Sequence, residues 1–406
     1  MHSLKKLMAR FTQKDQRDGT WWRPEALEAL RVLLPVKVAL ITCISITVQL
    51  FPEFFNTSQW RAIVIGNTGA LPTSAPDVST MLMAWDSQHY LSIAASGYPA
   101  AGPELAFYPL WPGLIHAFSP LFGGKLLLTS LVLSNLISLL AGLCLFDLML
   151  RRSGSKAAWA TLVLSLAFPW SFFLAIPYSE SLFLFLSVAL FWGMERKAFF
   201  LVFCAALLLP LSRPIGIFAV APLLWWSALQ WRESHERKSL LMPFVPILGF
   251  GVYLLIMQMQ QGNAFVGFGA QDNFIAKAKL VSLFDFKGFF EAFLNVEAEH
   301  SFVRSPLDRA IFLLSVLGLG VMLRRILRGD HSWVPLFLWA APCIIIPAMT
   351  VKFMSFGRFA MVVFPLWMLL GEVMQSRPKR LVALLIVGIP GQAVFVWWHL
   401  NFTWVA

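Results

Sequence analysis

The chain has 406 residues, of which 58% are hydrophobic and 13% are charged, and its mean hydropathy is +0.70. A water-soluble domain cannot bury that much apolar surface, so the composition excludes a soluble globular protein. The net charge of +11 does not indicate nucleic-acid binding. The cations lie in short clusters between apolar segments, which is the positive-inside pattern of membrane proteins. The sequence therefore predicts an all-α polytopic membrane protein that lies in a lipid bilayer and has no nucleic-acid partner.

The apolar segments predict about eleven transmembrane helices of roughly 20 residues each, within one transmembrane domain that spans residues 1–406. These segments lie near residues 32–52, 126–150, 157–175, 179–194, 198–211, 214–230, 240–259, 308–323, 333–351, 359–375 and 381–400. The two short segments at 198–211 and 214–230 allow an alternative, a single hairpin kinked at the prolines between them. The count of spans depends on which alternative holds.

The basic clusters orient these helices. Residues 1–31 form a basic arm without a cleavable signal pattern, and we expect this arm to be cytoplasmic. The alternation of spans then places every later dense basic cluster on the same face, near residues 151–156, 196–197, 232–238, 324–328 and 377–380. The opposite face receives a first outer loop, residues 53–125, a second outer loop, residues 260–307, and the C-terminus.

The first outer loop contains the motif that begins at Trp85 and Asp86. Its apolar residues recur at helical spacing, which predicts an interfacial amphipathic helix along the membrane surface; they are Leu82, Trp85, His89 and Ile93. Asp86 and Tyr90 stand four residues apart and share a neighbouring face of that helix.

Each residue of this motif has a structural and a functional interpretation. Asp86 is either a general base or a residue that caps the helix N-terminus, where Asp is favoured. We expect His89 to serve as a hydrogen-bond partner, because no second His stands at metal-ligand spacing. Trp85 and Trp111 are typical of anchors at the membrane–water interface.

Glu180 and several cations form a second group of candidates. Glu180 follows an irregular turn between two prolines; it caps the next helix or contributes to a site, since a carboxylate within a membrane segment is costly. The cations lie on the predicted outer face, against the positive-inside trend; they are Arg213, Arg304, Lys352 and Arg358. Such groups either bind a phosphate or extend towards lipid headgroups.

The ordered motifs resemble those of the PIG-V family of GPI mannosyltransferases and its prokaryotic relatives. The resemblance rests on Trp85-Asp86, Gly97-Tyr98, Ala106 to Pro112, Phe168-Pro169, Tyr178 to Phe183, Ser212 to Gly216, Gln261 to Asn263, Gly357 to Phe359 and Phe364-Pro365. It implies a GT-C fold, a polyprenyl-phosphate mannose as donor, and Asp86 as the catalytic base. It also indicates a bacterial or archaeal cell membrane, with the site facing outside.

These observations predict an inverting glycosyltransferase that acts on a glycan or glycolipid acceptor. The departing phosphate is a good leaving group, so one base suffices and no second acid is needed. The expected substrate-binding residues are Tyr90, Tyr108, Glu180, Arg213, Lys352, Arg358 and His89. No cofactor is implied; a divalent metal is not required, although Asp86, Glu180 and Asp272 carry suitable ligands. The alternative is a transporter or flippase of lipid-linked sugars, since buried membrane charges also serve transport.

Overall fold

The computed structural model describes residues 22, 24–50, 81–274, 278–295, 304–403 and 405, and within these ranges it contains helices and no strand. The α-helices of six or more residues are α1 Leu30–Leu50, α2 Asp86–Ser96, α3 Leu110–Phe118, α4 Leu126–Ser153, α5 Ser155–Ala167, α6 Glu180–Arg196, α7 Phe199–Ser212, α8 Val220–Ser234, α9 Val245–Gln261, α10 Phe286–Leu294, α11 Arg304–Leu327, α12 Val334–Val351, α13 Phe356–Met361, α14 Phe364–Met374 and α15 Pro378–Leu400. The all-α prediction is confirmed.

Several of these helices are long and apolar enough to cross a membrane. Seven stretches within the described ranges qualify: Pro24–Gln49, Leu126–Ser153, Pro214–Ser234, Arg237–Gln261, Pro306–Leu327, His331–Val351 and Pro378–Leu400. Three further apolar helices, α5, α7 and α14, are shorter. Each of the predicted segments overlaps a helix, but α5 ends at Ala167 within the segment 157–175, and the segment 359–375 is divided between α13 and α14. The predicted number of crossings stays a prediction. The chain is an integral membrane protein.

Helix α6 forms the centre of the bundle. It packs on α4 and α7, while α5 packs on α4 and α14. Nearly all side chains of α6 are buried. By contrast, α11 and α15 expose many apolar side chains, as expected for helices that contact lipid. Helix α6 is therefore a core helix of the bundle, and α11 and α15 are peripheral.

Proline residues end two helices next to the bundle centre. A residue before proline avoids the helical conformation, so a helix usually ends there. Phe168, before Pro169, is extended and ends α5, and a 3-10 turn Pro169–Leu174 follows. Arg213, before Pro214, is likewise extended and ends α7. The segments at 198–211 and 214–230 therefore form two helices with an extended break between them.

The basic clusters meet at one end of the bundle. Asp147, fully buried on α4, accepts hydrogen bonds from Arg151 and Arg196, each at 2.8 Å. Lys197 pairs with Glu233 at 3.2 Å. Residues near the ends of α4, α11 and α14 are also joined, through the ion pairs that Glu372 makes with Arg152 and Arg325. The clusters predicted to share a face of the membrane thus share one end of the molecule.

The first outer loop is mostly helical where it is described. Helix α2 begins at Asp86, so Leu82 and Trp85 precede the helix in which they were predicted; His89 and Ile93 lie in it and are buried. Tyr90 and Leu91 are buried as well, so α2 packs into the bundle more deeply than a purely interfacial helix would. Trp111 was expected at the membrane interface and is instead fully buried, because α3 packs against α4. Residues 51–80 lie outside the described ranges.

Candidate active site

Four charged side chains meet at the end of α6 that lies opposite the basic clusters. They are Asp86, Glu180, Arg213 and Arg358. Asp86 is the first residue of α2 and Glu180 the first residue of α6. Asp86 follows Trp85, whose backbone φ of 60° lies in the left-handed region that residues other than glycine rarely adopt. Strained backbone of this kind concentrates at functional sites.

The proline break after α7 directs Arg213 into this cluster. Because Pro214 excludes a helical conformation at the preceding residue, Arg213 leaves the helix with φ −157° and ψ 147°. Gly216 permits the turn that follows, since a Cβ there would lie 2.4 Å from the backbone of Leu209. The sequence pattern Arg-Pro-Ile-Gly thus places the guanidinium at the helix end, where it is 9% exposed.

Arg358 is the third residue of α13, directly after an irregular turn that follows α12. Lys352, Phe353 and Ser355 all have positive φ, at 49°, 67° and 63°. The amide of Gly357 donates to the buried Asp308 Oδ1 at 2.9 Å. A Cβ at Gly357 would lie 2.3 Å from the ring of Trp170, so only glycine fits there. Asp308 and Trp170 therefore hold Arg358 in place.

The four side chains form a continuous ion-pair network. Arg358 Nη2 lies 2.6 Å from Asp86 Oδ2, and Arg358 Nε also contacts Glu180 Oε1. The same Glu180 oxygen contacts Arg213 Nη2. The side chain of Asp86 is 17% exposed, whereas that of Glu180 is 0% exposed. The two carboxylates therefore differ in exposure: part of the Asp86 side chain is accessible, and Glu180 is enclosed by the two arginines.

Hydroxyl and aromatic groups complete the network. Arg213 Nε donates to Ser179 Oγ at 3.2 Å, and Ser179 Oγ is 2.8 Å from the hydroxyl of Tyr90. Burial raises the pKa of Tyr90 to about 12, so its hydroxyl remains protonated at neutral pH. The guanidinium of Arg358 lies over the ring of Tyr178, 4.7 Å from its centroid. Cation–π contact restricts this guanidinium further.

The remaining predicted substrate-binding residues make their contacts elsewhere. His89 Nδ1 lies 3.2 Å from Glu104 Oε1, which agrees with the hydrogen-bonding role expected of it. Tyr108 stacks on Tyr253, with ring centroids 4.3 Å apart. Lys352 lies 3.6 Å from Asp285. Tyr90, Glu180, Arg213 and Arg358 thus form one network with Asp86, and His89 reaches Tyr90 through the ring of Phe107, which contacts both. The side chain of Arg304 lies outside the described residues.

The described residues offer no ready metal site. No group of three or more His, Cys, Asp or Glu side chains within them is arranged to hold a metal ion. Asp272, a possible third carboxylate, pairs with Lys279 at 2.7 Å and is 53% exposed. The charges facing Asp86 and Glu180 come from arginines instead.

Two buried charged residues near this site were not singled out by the sequence patterns. Asp308 supports Gly357, as described above. Lys37, on α1, donates to the carbonyl of Leu174 at 3.0 Å and is 6% exposed. For Lys37 the available signal was a lone charge inside an apolar segment, since such charges usually have a function; Asp308 stands next to Arg309 and gave no such signal.

Residues 70–295 match the Mannosyltransferase (PIG-V) family; this region contains Asp86, Glu180 and Arg213. GPI alpha-1,6-mannosyltransferase 2 of Rattus norvegicus is 34% identical over 126 residues, which cover 28% of this chain and 25% of the relative. The matched region thus spans a quarter of that curated relative's length.

A solved structure resembles most of the chain at low identity. The crystal structure of the Archaeoglobus fulgidus oligosaccharyltransferase, in complex with Zn and sulfate, aligns with a TM-score of 0.47 and 13% identity. The alignment covers 92% of this chain and 53% of the other. The family match covers more than half of the chain and includes three of the four charged residues at the site. The chain is a membrane protein of the mannosyltransferase (PIG-V) family.

Proposed function

We propose that this protein is an inverting mannosyltransferase that moves a mannosyl group from a polyprenyl-phosphate donor to a hydroxyl of a glycan or glycolipid acceptor. Family membership supports the reaction class. The observation that carries the assignment of residues is the difference between the two carboxylates of the network. Asp86 is 17% exposed and Glu180 is 0% exposed, so only Asp86 is placed to meet an acceptor hydroxyl.

Asp86 acts as the general base. Arg358 binds its Oδ2 at 2.6 Å and orients the carboxylate. Asp86 removes the acceptor proton as the acceptor oxygen attacks the anomeric carbon. The bond from this carbon to the phosphate oxygen breaks, and its electron pair leaves with the polyprenyl phosphate. One displacement from the face opposite the phosphate inverts the anomeric centre.

The charges of the network change in step with this reaction. Before transfer, two carboxylates balance two guanidiniums. Protonation of Asp86 leaves Arg213 and Arg358 with Glu180 alone, so the network gains one positive charge when the departing phosphate gains one negative charge. The N-termini of α2 and α6, each equivalent to about half a positive charge, lie at the same place. These groups suit electrostatic stabilisation of the leaving phosphate.

We place the site on the non-cytoplasmic face of the membrane. The argument is the positive-inside tendency of the basic clusters, which meet at the opposite end of α6 through Asp147 and Arg196. A polyprenyl chain is soluble only in the bilayer, so the donor reaches the site laterally from lipid. No cofactor takes part in the proposed reaction, and transfer should continue in the presence of a metal chelator.

Substitution of Asp86 tests the function and the base together. Purified protein is incubated with polyprenyl-phosphate mannose and a panel of glycolipid acceptors, and released polyprenyl phosphate is measured. Asp86→Asn should lower the rate about 10² to 10⁴-fold, the typical contribution of a positioned base, while donor binding is retained. Asp330→Asn, the same change at the opposite end of the bundle, should leave the rate within about twofold.

Two results would contradict the proposal. Full activity of Asp86→Asn would exclude this residue as the base. Failure of the wild-type protein to consume any lipid-linked sugar, combined with movement of a labelled lipid-linked sugar across proteoliposomes, would favour the transporter alternative.

A further inference from the structure

Four consecutive backbone carbonyls next to the site each accept a hydrogen bond from a side chain. They belong to the segment from Leu174 to Pro177, which joins the 3-10 turn after α5 to the start of α6. The donors are Lys37 Nζ to Leu174 O at 3.0 Å, Asn135 Nδ2 to Ala175 O at 2.9 Å, Ser134 Oγ to Ile176 O at 2.8 Å and Trp111 Nε1 to Pro177 O at 3.4 Å. We call this set of four bonds the carbonyl ladder.

The ladder gives each carbonyl of this buried segment a hydrogen-bond partner. Leu174 to Pro177 is irregular backbone that is buried inside the bundle. Buried carbonyls must find partners, and irregular backbone inside a membrane protein is tolerated only where the protein supplies them. All four partners come from side chains of three other helices, α1, α3 and α4. The carbonyl of Ile176 also accepts from the amide of Tyr178 at 2.7 Å, so the path of the segment is set by those helices together with local hydrogen bonding.

Lys37 is the unusual member of the ladder. It is 6% exposed within an apolar stretch of α1, and a charged side chain within a membrane helix is costly, at about 2.5 to 3.5 kcal/mol on insertion scales. A hydrogen bond from an ammonium group is about twice as strong as one between neutral groups. Lysine is therefore a costly residue at this position, and the bond to the Leu174 carbonyl is the contact that offsets this cost.

The segment is connected to both carboxylates of the site, to Glu180 along the chain and to Asp86 through a hydrogen bond of Tyr178. Tyr178, Ser179 and Glu180 follow it, and Ser179 and Glu180 bind Arg213. The hydroxyl of Tyr178 donates to the carbonyl of Ala84 at 3.2 Å, two residues before Asp86. A shift of Leu174 to Pro177 would thus move Glu180 directly and would move the turn before Asp86 through Tyr178.

We propose that the carbonyl ladder, with Lys37 as its member on α1, is a positioning device that sets the geometry of Glu180 and Asp86 around Arg358. Lys37, Ser134, Asn135 and Trp111 are positioning residues and do not touch substrate. The ladder's effect on sugar transfer rests on the proposed function, whereas its effect on the position of residues 174–183 does not. An error of about 1 Å in a catalytic group can lower a rate about 10²-fold, so loss of a ladder bond should appear in kcat.

Two substitutions test the ladder, each with its own comparison. Lys37→Met keeps the length of the side chain and removes the donor; Lys37→Arg restores a buried cation with donors. Ser134→Ala removes only the Oγ bond to Ile176. Ser138→Ala is its matched control, because Ser138 lies one turn further along α4, is also buried, and bonds only the carbonyl of Asn135 in its own helix at 3.1 Å.

Each variant is purified in full length and measured in two ways. The first is kcat and KM for the polyprenyl-phosphate mannose donor. The second is amide hydrogen exchange of peptides that cover residues 174–183, which reports local opening without any substrate. We expect Lys37→Met to lower kcat about 10 to 100-fold with KM within about threefold, and Ser134→Ala to lower kcat about 3 to 10-fold. Exchange in residues 174–183 should be faster in both.

The outcomes separate the two proposals. Lys37→Arg should recover most of kcat, and Ser138→Ala should match the wild type in both measurements. If the wild type transfers no sugar but Ser134→Ala speeds exchange in residues 174–183, the proposed function fails and the ladder stands. If Ser134→Ala and Ser138→Ala have the same kcat and the same exchange, the ladder is wrong. Should Lys37→Met not fold, the serine pair still decides.

Discussion

At the scale of single residues, access to solvent distinguishes two carboxylates that look alike in sequence. Asp86 and Glu180 each stand at the first position of a helix and each contacts Arg358. Only Asp86 has an exposed edge. Glu180 is enclosed between Arg213 and Arg358, so its role in the proposed reaction is to hold both guanidiniums in place and to balance their charge.

Replacement of Glu180 should therefore affect stability as well as activity. Glu180→Gln leaves Arg213 and Arg358 without their buried counter-charge, and removal of one partner from a buried ion pair typically costs about 3 to 5 kcal/mol. We expect a clear fall in the thermal unfolding midpoint in detergent and loss of sugar transfer. Glu291→Gln makes the same change in an exposed pair with Lys287 and should leave both unchanged. Equal midpoints for the two variants would contradict the described network.

Backbone conformation at the residue scale also marks this site. Trp85 directly precedes Asp86, and Ser355 lies three residues before Arg358; both have positive φ although neither is glycine. Such conformations cost about 1 to 3 kcal/mol each and persist where the surrounding structure enforces them. Asp86 and Arg358, which form the 2.6 Å ion pair, thus each lie close after a residue whose backbone packing keeps in an unfavourable conformation.

At the scale of helices and turns, prolines and glycines determine where the charged side chains emerge. Pro214 ends α7 at Ser212 and leaves Arg213 extended. Gly357 lets the start of α13 pass against the ring of Trp170. The proline break follows from local sterics and can be predicted from sequence, whereas the contact of Gly357 joins residues far apart in the chain. The elements that pack against the break cannot be predicted in this way.

Gly357→Ala tests this close approach. The added Cβ would lie 2.3 Å from the Trp170 ring, so the turn must shift and carry Arg358 with it. Overpacking of this kind costs about 1 to 3 kcal/mol, and we expect the unfolding midpoint and kcat to fall together. Gly251→Ala, in α9, meets nothing within 4 Å and should be neutral in both measurements. Wild-type kcat in Gly357→Ala would show that the contact does not position Arg358.

At the scale of the whole molecule, the two ends of the bundle carry different charge arrangements. Glu180 and Arg196 bound α6 and are separated by about 24 Å at 1.5 Å per residue. At one end, Asp147 joins basic residues that the positive-inside tendency assigns to the cytoplasm. At the other end lies the site around Asp86. The proposed orientation follows from this separation.

Cysteine labelling tests that orientation. His235→Cys, in a variant that lacks the four native cysteines, should react with a membrane-impermeant maleimide only when the cytoplasmic face is accessible, as in inverted vesicles. Asp272→Cys, in the second outer loop, should react from the outside of intact cells. Both positions are exposed, so access across the membrane decides the result. The reverse pattern would place the site on the cytoplasmic side.

Part of the site was predictable because it depends on local chemistry. Asp86, Glu180, Arg213 and Arg358 are polar residues in apolar surroundings, and their placement on one predicted face follows from the alternation of spans. Lys352 satisfies the same pattern, yet it pairs with Asp285 in the second outer loop. The pattern identifies the residues on one face of the membrane, but it does not distinguish those that form the site from those, such as Lys352, that pair elsewhere on that face.

The sequence by itself determined that this protein is a helical membrane protein, where most helices begin and end, and which family motifs it carries. These properties depend on hydropathy, on proline and glycine sterics and on short residue patterns, all of which are local. Only the tertiary structure decided that Asp86, Arg358, Glu180 and Arg213 form one network and that Lys37 of α1 donates to the carbonyl of Leu174. Those contacts join residues far apart in the chain, and helix packing alone brings them within bonding distance.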